Sequence, residues 1–218
     1  MCANLLLCFF IGIGAFEIPA QTPRDLSIWE PEIKAFEASD RTNPPPQGAI
    51  LFVGSSSIRI WKTLAQDFPG HQVINRGFGG SKIADSTAFA DRIIVPYHPS
   101  MVALYAGDND LAAGNTPAQV VADYRAFVRK IRAKLPDATI AFISIKPSPS
   151  RWHLHDKMQA ANHQIASMKG NKLIFIDVYS AMLGADGKPR PELFLPDGLH
   201  MNAAGYRLWT SIIEPRLK

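Results

Sequence analysis

Short runs of small and polar residues follow several apolar segments of this chain, and they contain the residue types that acyl transfer needs. A glycine–serine run, Gly54–Ser57, follows one apolar segment, and Asn109 follows another between two aspartates. Near the C-terminus, Asp197 and His200 stand three residues apart. Acyl transfer requires a nucleophile, a base, a group that orients the base and donors for the developing oxyanion. The residue types therefore indicate a serine-based acyl-transfer site.

The spacing of Asp197 and His200 is the most specific of these signals. One short loop can carry both side chains, so the carboxylate can hold the imidazole in the tautomer that accepts a serine proton. Each other signal also has an ordinary structural interpretation. The serines can cap a helix, Gly79-Gly80 can form a turn, and Asn109 can be a turn residue. Chemistry is favoured because all of them fall at the ends of predicted strands.

The segments between these residues alternate between strand-like and helix-like patterns. Continuous apolar runs predict five buried strands: Ala49–Val53, Gln72–Asn75, Met101–Ala106, Thr139–Ser144 and Leu173–Asp177. Helical spacing of apolar residues predicts four helices: Pro31–Ser39, Pro117–Leu135, Arg151–Met168 and Ala203–Leu217. Strand–helix alternation indicates one α/β domain whose parallel sheet lies between layers of helices. Ligands of such sheets bind beyond the carboxyl ends of the strands, where the candidate residues lie.

Composition excludes several other classes of protein. Of the 218 residues, 47% are apolar and 19% are charged, which is typical of a globular domain rather than a disordered or fibrous chain. The net charge is +4 and the basic residues are dispersed, so no nucleic-acid partner is expected. The two cysteines, Cys2 and Cys8, precede the folded body, which excludes a cysteine nucleophile or cysteine-bound zinc there. No histidine spacing favours a metal, so we expect neither metal nor cofactor.

The N-terminus resembles an export signal in its composition. Leu5–Phe16 is an uncharged apolar run, too short to span a bilayer but of the length of a signal-peptide core. Small residues near Ala20 suit cleavage, so residues 1–20 are predicted to be a signal peptide or N-terminal anchor, with residues 21–218 forming one domain. An exported protein would then begin near Gln21. The alternative is that the run forms the first strand or helix of the domain.

Four segments of the chain together resemble the conserved blocks of the SGNH hydrolases, also called GDSL-type esterases and lipases. They occur in the family's order, and two of them are similar to a bacterial branch of it. The segments are Phe52–Ile58, Asn75–Ser81, Tyr105–Leu111 and Pro196–Asn202. The resemblance implies a flavodoxin-like three-layer α/β/α sandwich with a five-stranded, mainly parallel sheet. It also implies that the substrate is a small-molecule ester.

The resemblance also implies a role for each candidate residue. Ser56 corresponds to the nucleophile, His200 to the base and Asp197 to the residue that orients the base. The backbone N–H groups of Ser56 and Gly80 and the side-chain amide of Asn109 correspond to the oxyanion donors. Ser56 is predicted to begin a helix, whose N-terminus would also favour negative charge.

The chain departs from the family pattern at Ser55, where the family usually has aspartate. The predicted function is a serine esterase for small or short-chain acyl esters, since no long apolar lid is visible. A carboxylesterase, a carbohydrate O-deacetylase and a thioesterase all remain open. The alternative is a non-catalytic protein of the same fold that binds carbohydrate or acyl groups, a reading that Ser55 slightly favours. Phe78 and Trp152 are candidate substrate contacts, with core packing as the other interpretation of both.

Overall fold

Five short apolar runs form the strands of one sheet in the computed structural model of this protein, which describes residues 25–217. The strands are β1 (Ile50–Gly54), β2 (Val73–Gly77), β3 (Met101–Tyr105), β4 (Thr139–Ile143) and β5 (Leu173–Ile176). Their order is β2–β1–β3–β4–β5, and each neighbouring pair is parallel. The predicted parallel sheet is therefore confirmed, with each strand within two residues of its predicted ends. The predicted leader at residues 1–20, with Cys2 and Cys8, lies outside the described residues.

Helices connect the strands and cover both faces of the sheet. They are α1 (Glu30–Thr42), α2 (Ser56–Arg59), α3 (Leu64–Asp67), α4 (Ile83–Ala88), α5 (Ala90–Ile93), α6 (Asp108–Ala112), α7 (Pro117–Lys134), α8 (His155–Ala166) and α9 (Ala203–Ile213). Among residues 25–217, none of these helices has the length and apolar character needed to cross a membrane.

Several predicted helix boundaries differ from the structure; the first helix, for example, continues to Thr42 rather than ending at Ser39. The helix expected from Arg151 begins instead at His155, because Pro149–Leu154 forms a 3-10 segment in which Arg151 has φ −116° and ψ 19°. The last helix ends at Ile213 and gives way to a 3-10 turn over Glu214–Arg216. Pro215, inside that turn, has no N–H with which to continue an α-helix.

The strands β1 and β3 are buried on both faces, as is β4 after Thr139, whereas the edge strands β2 and β5 are partly exposed. The sheet separates two hydrophobic cores. Leu51 and Val53 of β1 face the core that α1, α4, α5, α7 and α8 cover. Ile50 and Phe52 face the opposite core, which α2, α3 and α9 cover. Continuous apolar runs are the pattern expected of strands buried on both faces. The predicted three-layer α/β/α sandwich is confirmed.

Strand register brings the carboxyl ends of the central strands level with one another. Gly54 at the end of β1 lies beside Gly77 of β2 and Tyr105 of β3. The hydrogen-bond ladder continues past the strands, since Ser55 N–H donates to the Tyr105 carbonyl at 3.0 Å and Phe78 N–H to the Gly54 carbonyl at 2.9 Å. The loops that carry the candidate residues therefore leave the sheet from one rigid edge.

Candidate active site

The turn after β1 presents one serine of three to solvent. Gly54 has φ +131°, and a Cβ there would stand 1.8 Å from the Tyr105 carbonyl oxygen, so only glycine fits. After this tight turn the chain enters α2, whose first residue is Ser56. Ser55 and Ser57 are 0% and 1% exposed, whereas Ser56 is partly exposed. Ser56 is therefore the serine of this run that a substrate can reach.

A chain of hydrogen bonds joins Ser56, His200 and Asp197. The Ser56 Oγ lies 2.9 Å from His200 Nε2, and His200 Nδ1 lies 2.6 Å from Asp197 Oδ2. With the Nδ1 proton donated to the carboxylate, Nε2 is the acceptor for the serine proton. The hydrogen bond with His200 is the largest cause that lowers the pKa of Asp197, to about 2. Asp197 therefore stays ionised, and an acceptor, at any physiological pH.

The loop that carries Asp197 and His200 is held in shape by its own backbone. The N–H groups of Leu199 and His200 both donate to Asp197 Oδ1 at 2.9 Å. The carbonyl of Gly198 accepts from the N–H of Ser150 at 3.0 Å and from its hydroxyl at 3.1 Å. The base and the carboxylate thus form one preassembled unit, fixed to the segment after β4.

Three potential donors line the pocket beside Ser56. They are the N–H groups of Ser56 and Gly80 and the side-chain amide of Asn109, and the three residues border one pocket with His200. Within residues 25–217, neither of the two N–H groups donates to another residue. Gly80 has φ +73°, the left-handed region that glycine enters without cost. Free donors in one pocket are what a developing oxyanion requires.

The orientation of the Asn109 amide is fixed from both ends. Its Nδ2 donates to the Ser81 carbonyl at 3.1 Å, and its Oδ1 accepts from Arg151 Nη2 at 3.0 Å. Because Nδ2 carries two hydrogens, one remains for a ligand. Arg151 cannot donate to an amide nitrogen, so its contact prevents the amide from flipping.

Arg151 in turn is held by a buried carboxylate, a feature that the sequence analysis did not predict. Its Nη1 donates to Asp108 Oδ2 at 3.0 Å, and Lys146 Nζ lies 3.6 Å from the same oxygen. Lys146 is 1% exposed, and burial lowers the pKa of its amine. Because Asp108 contacts both Lys146 and Arg151, it holds the Arg151 side chain in a fixed position. The cluster of basic residues after β4 was the available signal, although sequence alone does not show which carboxylate they meet.

The pocket is small, and its walls are polar. Its volume is about 420 Å³. Beyond the residues already described, its lining consists of Glu32, Arg59, Gly79, Arg151 and Leu199. Arg59 Nη1 lies 3.6 Å from Glu32 Oε1, with both side chains partly exposed at the rim. Burying a long hydrocarbon chain against these charges would desolvate them.

The structure contradicts the expected substrate contact at Phe78 and limits what the helix that begins at Ser56 can contribute. Phe78 is 0% exposed and packs between Trp29 and Phe89, so it has no surface to offer a substrate. Trp152 stacks on His155 with ring centres 4.4 Å apart and does not border the pocket. Helix α2 is a single turn of four residues, so its contribution is limited to its first N–H groups rather than a helix dipole.

Comparison with known proteins places this site in a family. The sequence model of the GDSL-like Lipase/Acylhydrolase family matches residues 52–208, which run from β1 into α9. The chain belongs to this family. The matched region of this GDSL-like protein includes Ser56, Gly80, Asn109, Asp197 and His200. A search of curated protein sequences finds no match.

Solved structures of other proteins share the fold of this GDSL-like chain. A Streptococcus pneumonia protein superposes with a TM-score of 0.76 at 20% identity, covering 88% of this chain and 94% of its own. A GDSL-like lipase from Bacteroides thetaiotaomicron gives 0.73 at 22% identity, with 85% and 96% covered. A carbohydrate esterase family 3 protein from Talaromyces cellulolyticus gives 0.62 at 17% identity, with 77% and 95% covered.

Proposed function

We propose that this GDSL-like hydrolase is a serine esterase that cleaves small acyl esters through an acyl-enzyme on Ser56. The observation that carries the proposal is the continuous chain of hydrogen bonds from the Ser56 hydroxyl through His200 to Asp197. A nucleophile within hydrogen-bond reach of a base, which a carboxylate orients, is the arrangement of serine hydrolases.

The reaction proceeds in two halves. The Ser56 Oγ attacks the ester carbonyl carbon while His200 Nε2 takes the hydroxyl proton, and the carbonyl π electrons move onto oxygen. Ser56 N–H, Gly80 N–H and the Asn109 amide receive that oxyanion. The carbon–oxygen bond to the alcohol then breaks, and His200 returns the proton to the departing alkoxide. Water, activated by His200, repeats the sequence on the acyl-enzyme and releases the acid and free Ser56.

Ser55, where the family usually has aspartate, does not weaken the esterase proposal. Its hydroxyl is 0% exposed and has no partner among the described residues. It does not border the pocket, and the hydrogen bonds of Ser56 run to other groups. The feature that suggested a non-catalytic binder therefore lies outside the space that a substrate would occupy.

Labelling with a fluorophosphonate tests the proposed nucleophile. We expect the reagent to modify wild-type protein on the peptide that contains Ser56, as read by mass spectrometry, and to leave Ser56→Ala unmodified. Ser55→Ala and Ser57→Ala are the matched controls, and both should be labelled at Ser56. Folded wild-type protein that takes no label, or a Ser56→Ala variant labelled as fast as wild type, would contradict the esterase proposal.

The polar lining supports a preference for short acyl groups. On a series of 4-nitrophenyl esters, kcat/KM should be highest for acetate and fall as the acyl chain lengthens. Acetylated oligosaccharides and acyl thioesters, assayed beside the aryl esters, would identify the subtype. The apolar run at residues 5–16 supports export as a further part of the proposal. N-terminal sequencing of protein from its native cell should then find a start near Gln21.

A further inference from the structure

The peptide that supplies one of the proposed oxyanion donors is held from outside the pocket by a tryptophan. Trp29 Nε1 donates to the Gly79 carbonyl at 2.8 Å. The same indole packs edge-on against Phe78, with ring centres 5.9 Å apart. Trp29 immediately precedes α1, ahead of the region 52–208 that the family model matches. It does not border the pocket.

The Gly79 carbonyl and the Gly80 N–H belong to one peptide unit. The peptide bonds of the described residues are trans, so these two groups lie in the plane of that unit and point in opposite directions. A bond from the indole on the carbonyl side therefore fixes the direction of the N–H on the other side. The same bond also polarises the peptide, which strengthens the N–H as a donor.

Without such a contact, little else would fix this plane. Glycines stand on both sides of the peptide, and Gly80 adopts φ +73° with nothing within 4 Å of where a Cβ would be. Rotation of a peptide between two glycines meets few steric barriers. On the far side of Gly79, its N–H donates to Glu32 Oε2 at 3.2 Å, so Trp29 and the first turn of α1 together hold both backbone polar groups of this residue.

Helix α1 is itself firmly attached to the domain. Arg92 of α5 pairs with Glu30 and Glu37 of α1, each at 2.6 Å, and Ile33 is fully buried in the core. The position of Trp29 is thus determined by the fold rather than by the substrate.

We infer that Trp29 is a positioning residue, whose indole N–H aims the Gly80 N–H at the oxyanion. The inference rests on the proposed esterase function, since it assigns a purpose to a donor used in that reaction. A contact that acts on an oxyanion donor stabilises the transition state more than the bound substrate. Its loss should therefore lower kcat and leave KM nearly unchanged.

Trp29→Phe tests this inference because it keeps an aromatic ring against Phe78 while removing the indole N–H. We expect kcat for 4-nitrophenyl acetate to fall roughly tenfold, less than the 10²–10³-fold loss typical when a donor is deleted outright. KM should stay within about twofold of wild type, the range expected when ground-state binding is unaffected. In spectra of protein labelled with ¹⁵N-glycine, the Gly80 amide signal should shift.

Trp209→Phe is the matched control. Trp209 is buried in the opposite core, and its indole donates to the Met182 sulfur at 3.2 Å. This variant should lower the melting temperature while preserving kcat and the Gly80 amide signal. The inference is wrong if Trp29→Phe has wild-type kcat, or if the Gly80 signal does not move. Wild-type protein that hydrolyses no ester would instead overturn the esterase proposal, while the amide signal would still report whether Trp29 sets the peptide.

Discussion

Replacement of Asn109 separates its proposed role as an oxyanion donor from its role in shaping the turn. In the structure, Nδ2 keeps one hydrogen beyond its bond to the Ser81 carbonyl, and Oδ1 is occupied by Arg151. Asn109→Ala deletes the donor, so we expect kcat to fall by about 10²–10³, or roughly 3–4 kcal/mol of transition-state stabilisation. KM should change little, because a ground-state carbonyl carries less negative charge than the oxyanion.

The cost to folding should be smaller and separately measurable. Asn109→Ala also removes two hydrogen bonds at a partly exposed site, at about 1 kcal/mol each. For a domain of this size, that corresponds to a fall of several degrees in melting temperature. Well below that temperature the enzyme remains folded, so a loss of 10²-fold or more in kcat cannot come from unfolding.

Asn109→Asp is the matched control variant, equal in size and still able to accept from Arg151. It lacks the donor and adds a negative charge, so its kcat should be at least as low as that of Asn109→Ala. The assay is the steady-state hydrolysis of 4-nitrophenyl acetate beside thermal melts of the three proteins. A variant with near-normal kcat would remove Asn109 from the oxyanion site. If the activity of a variant falls only in proportion to its unfolded fraction, then Asn109 serves only to shape the turn.

Two further predictions concern the groups around Asn109. Arg151→Met should lower kcat about tenfold, because the Asn109 amide becomes free to flip. Arg151→Lys should recover only part of that loss, because lysine cannot bridge Asp108 and Asn109 as the planar guanidinium does. Equal kcat for wild type and both variants would show that Arg151 does not orient Asn109. Burial raises the pKa of Asp110 from its ordinary value of 3.8 to about 7. Between these two pH values the folded protein keeps a proton on Asp110 that the unfolded chain has released. The free energy of unfolding should therefore decrease as pH rises from about 4 to 7, by up to about 4 kcal/mol. Urea titrations at several pH values should show this slope reduced in Asp110→Asn, and an unchanged slope would assign it to other groups.

The sequence predicted those features that depend on the sheet alone. Ser56 and His200 are 144 positions apart. Ser56 directly follows a predicted strand, where ligands of such sheets bind, and the resemblance to the family's last block assigned His200 to the same site. The contacts of Trp29 and Arg151 depend on how a helix and a loop pack over that edge. No local pattern predicts the contact of Trp29, and the basic residues after β4 indicated Arg151 without showing which carboxylate it meets.

Phe78 illustrates the opposite error. It stands beside two glycines in a segment expected to border the pocket, and an aromatic residue there suggested a substrate contact. In the structure its N–H extends the ladder from β2 by donating to Gly54, and its ring lies in the core. Such a hydrogen bond decides whether a loop side chain points into the core or toward the pocket, and composition and spacing do not reveal it.

The proposed base and its carboxylate are the last parts of the site to be synthesised. Residues up to the end of β5 can assemble the sheet, the serine turn and the proposed oxyanion donors before the remainder of the chain is synthesised. Helix α9 then attaches the C-terminal segment beside the serine turn, where the Tyr206 hydroxyl donates to the Ser57 carbonyl at 2.9 Å. A nascent chain of this protein would therefore form the pocket before the proposed nucleophile, Ser56, has its base beside it.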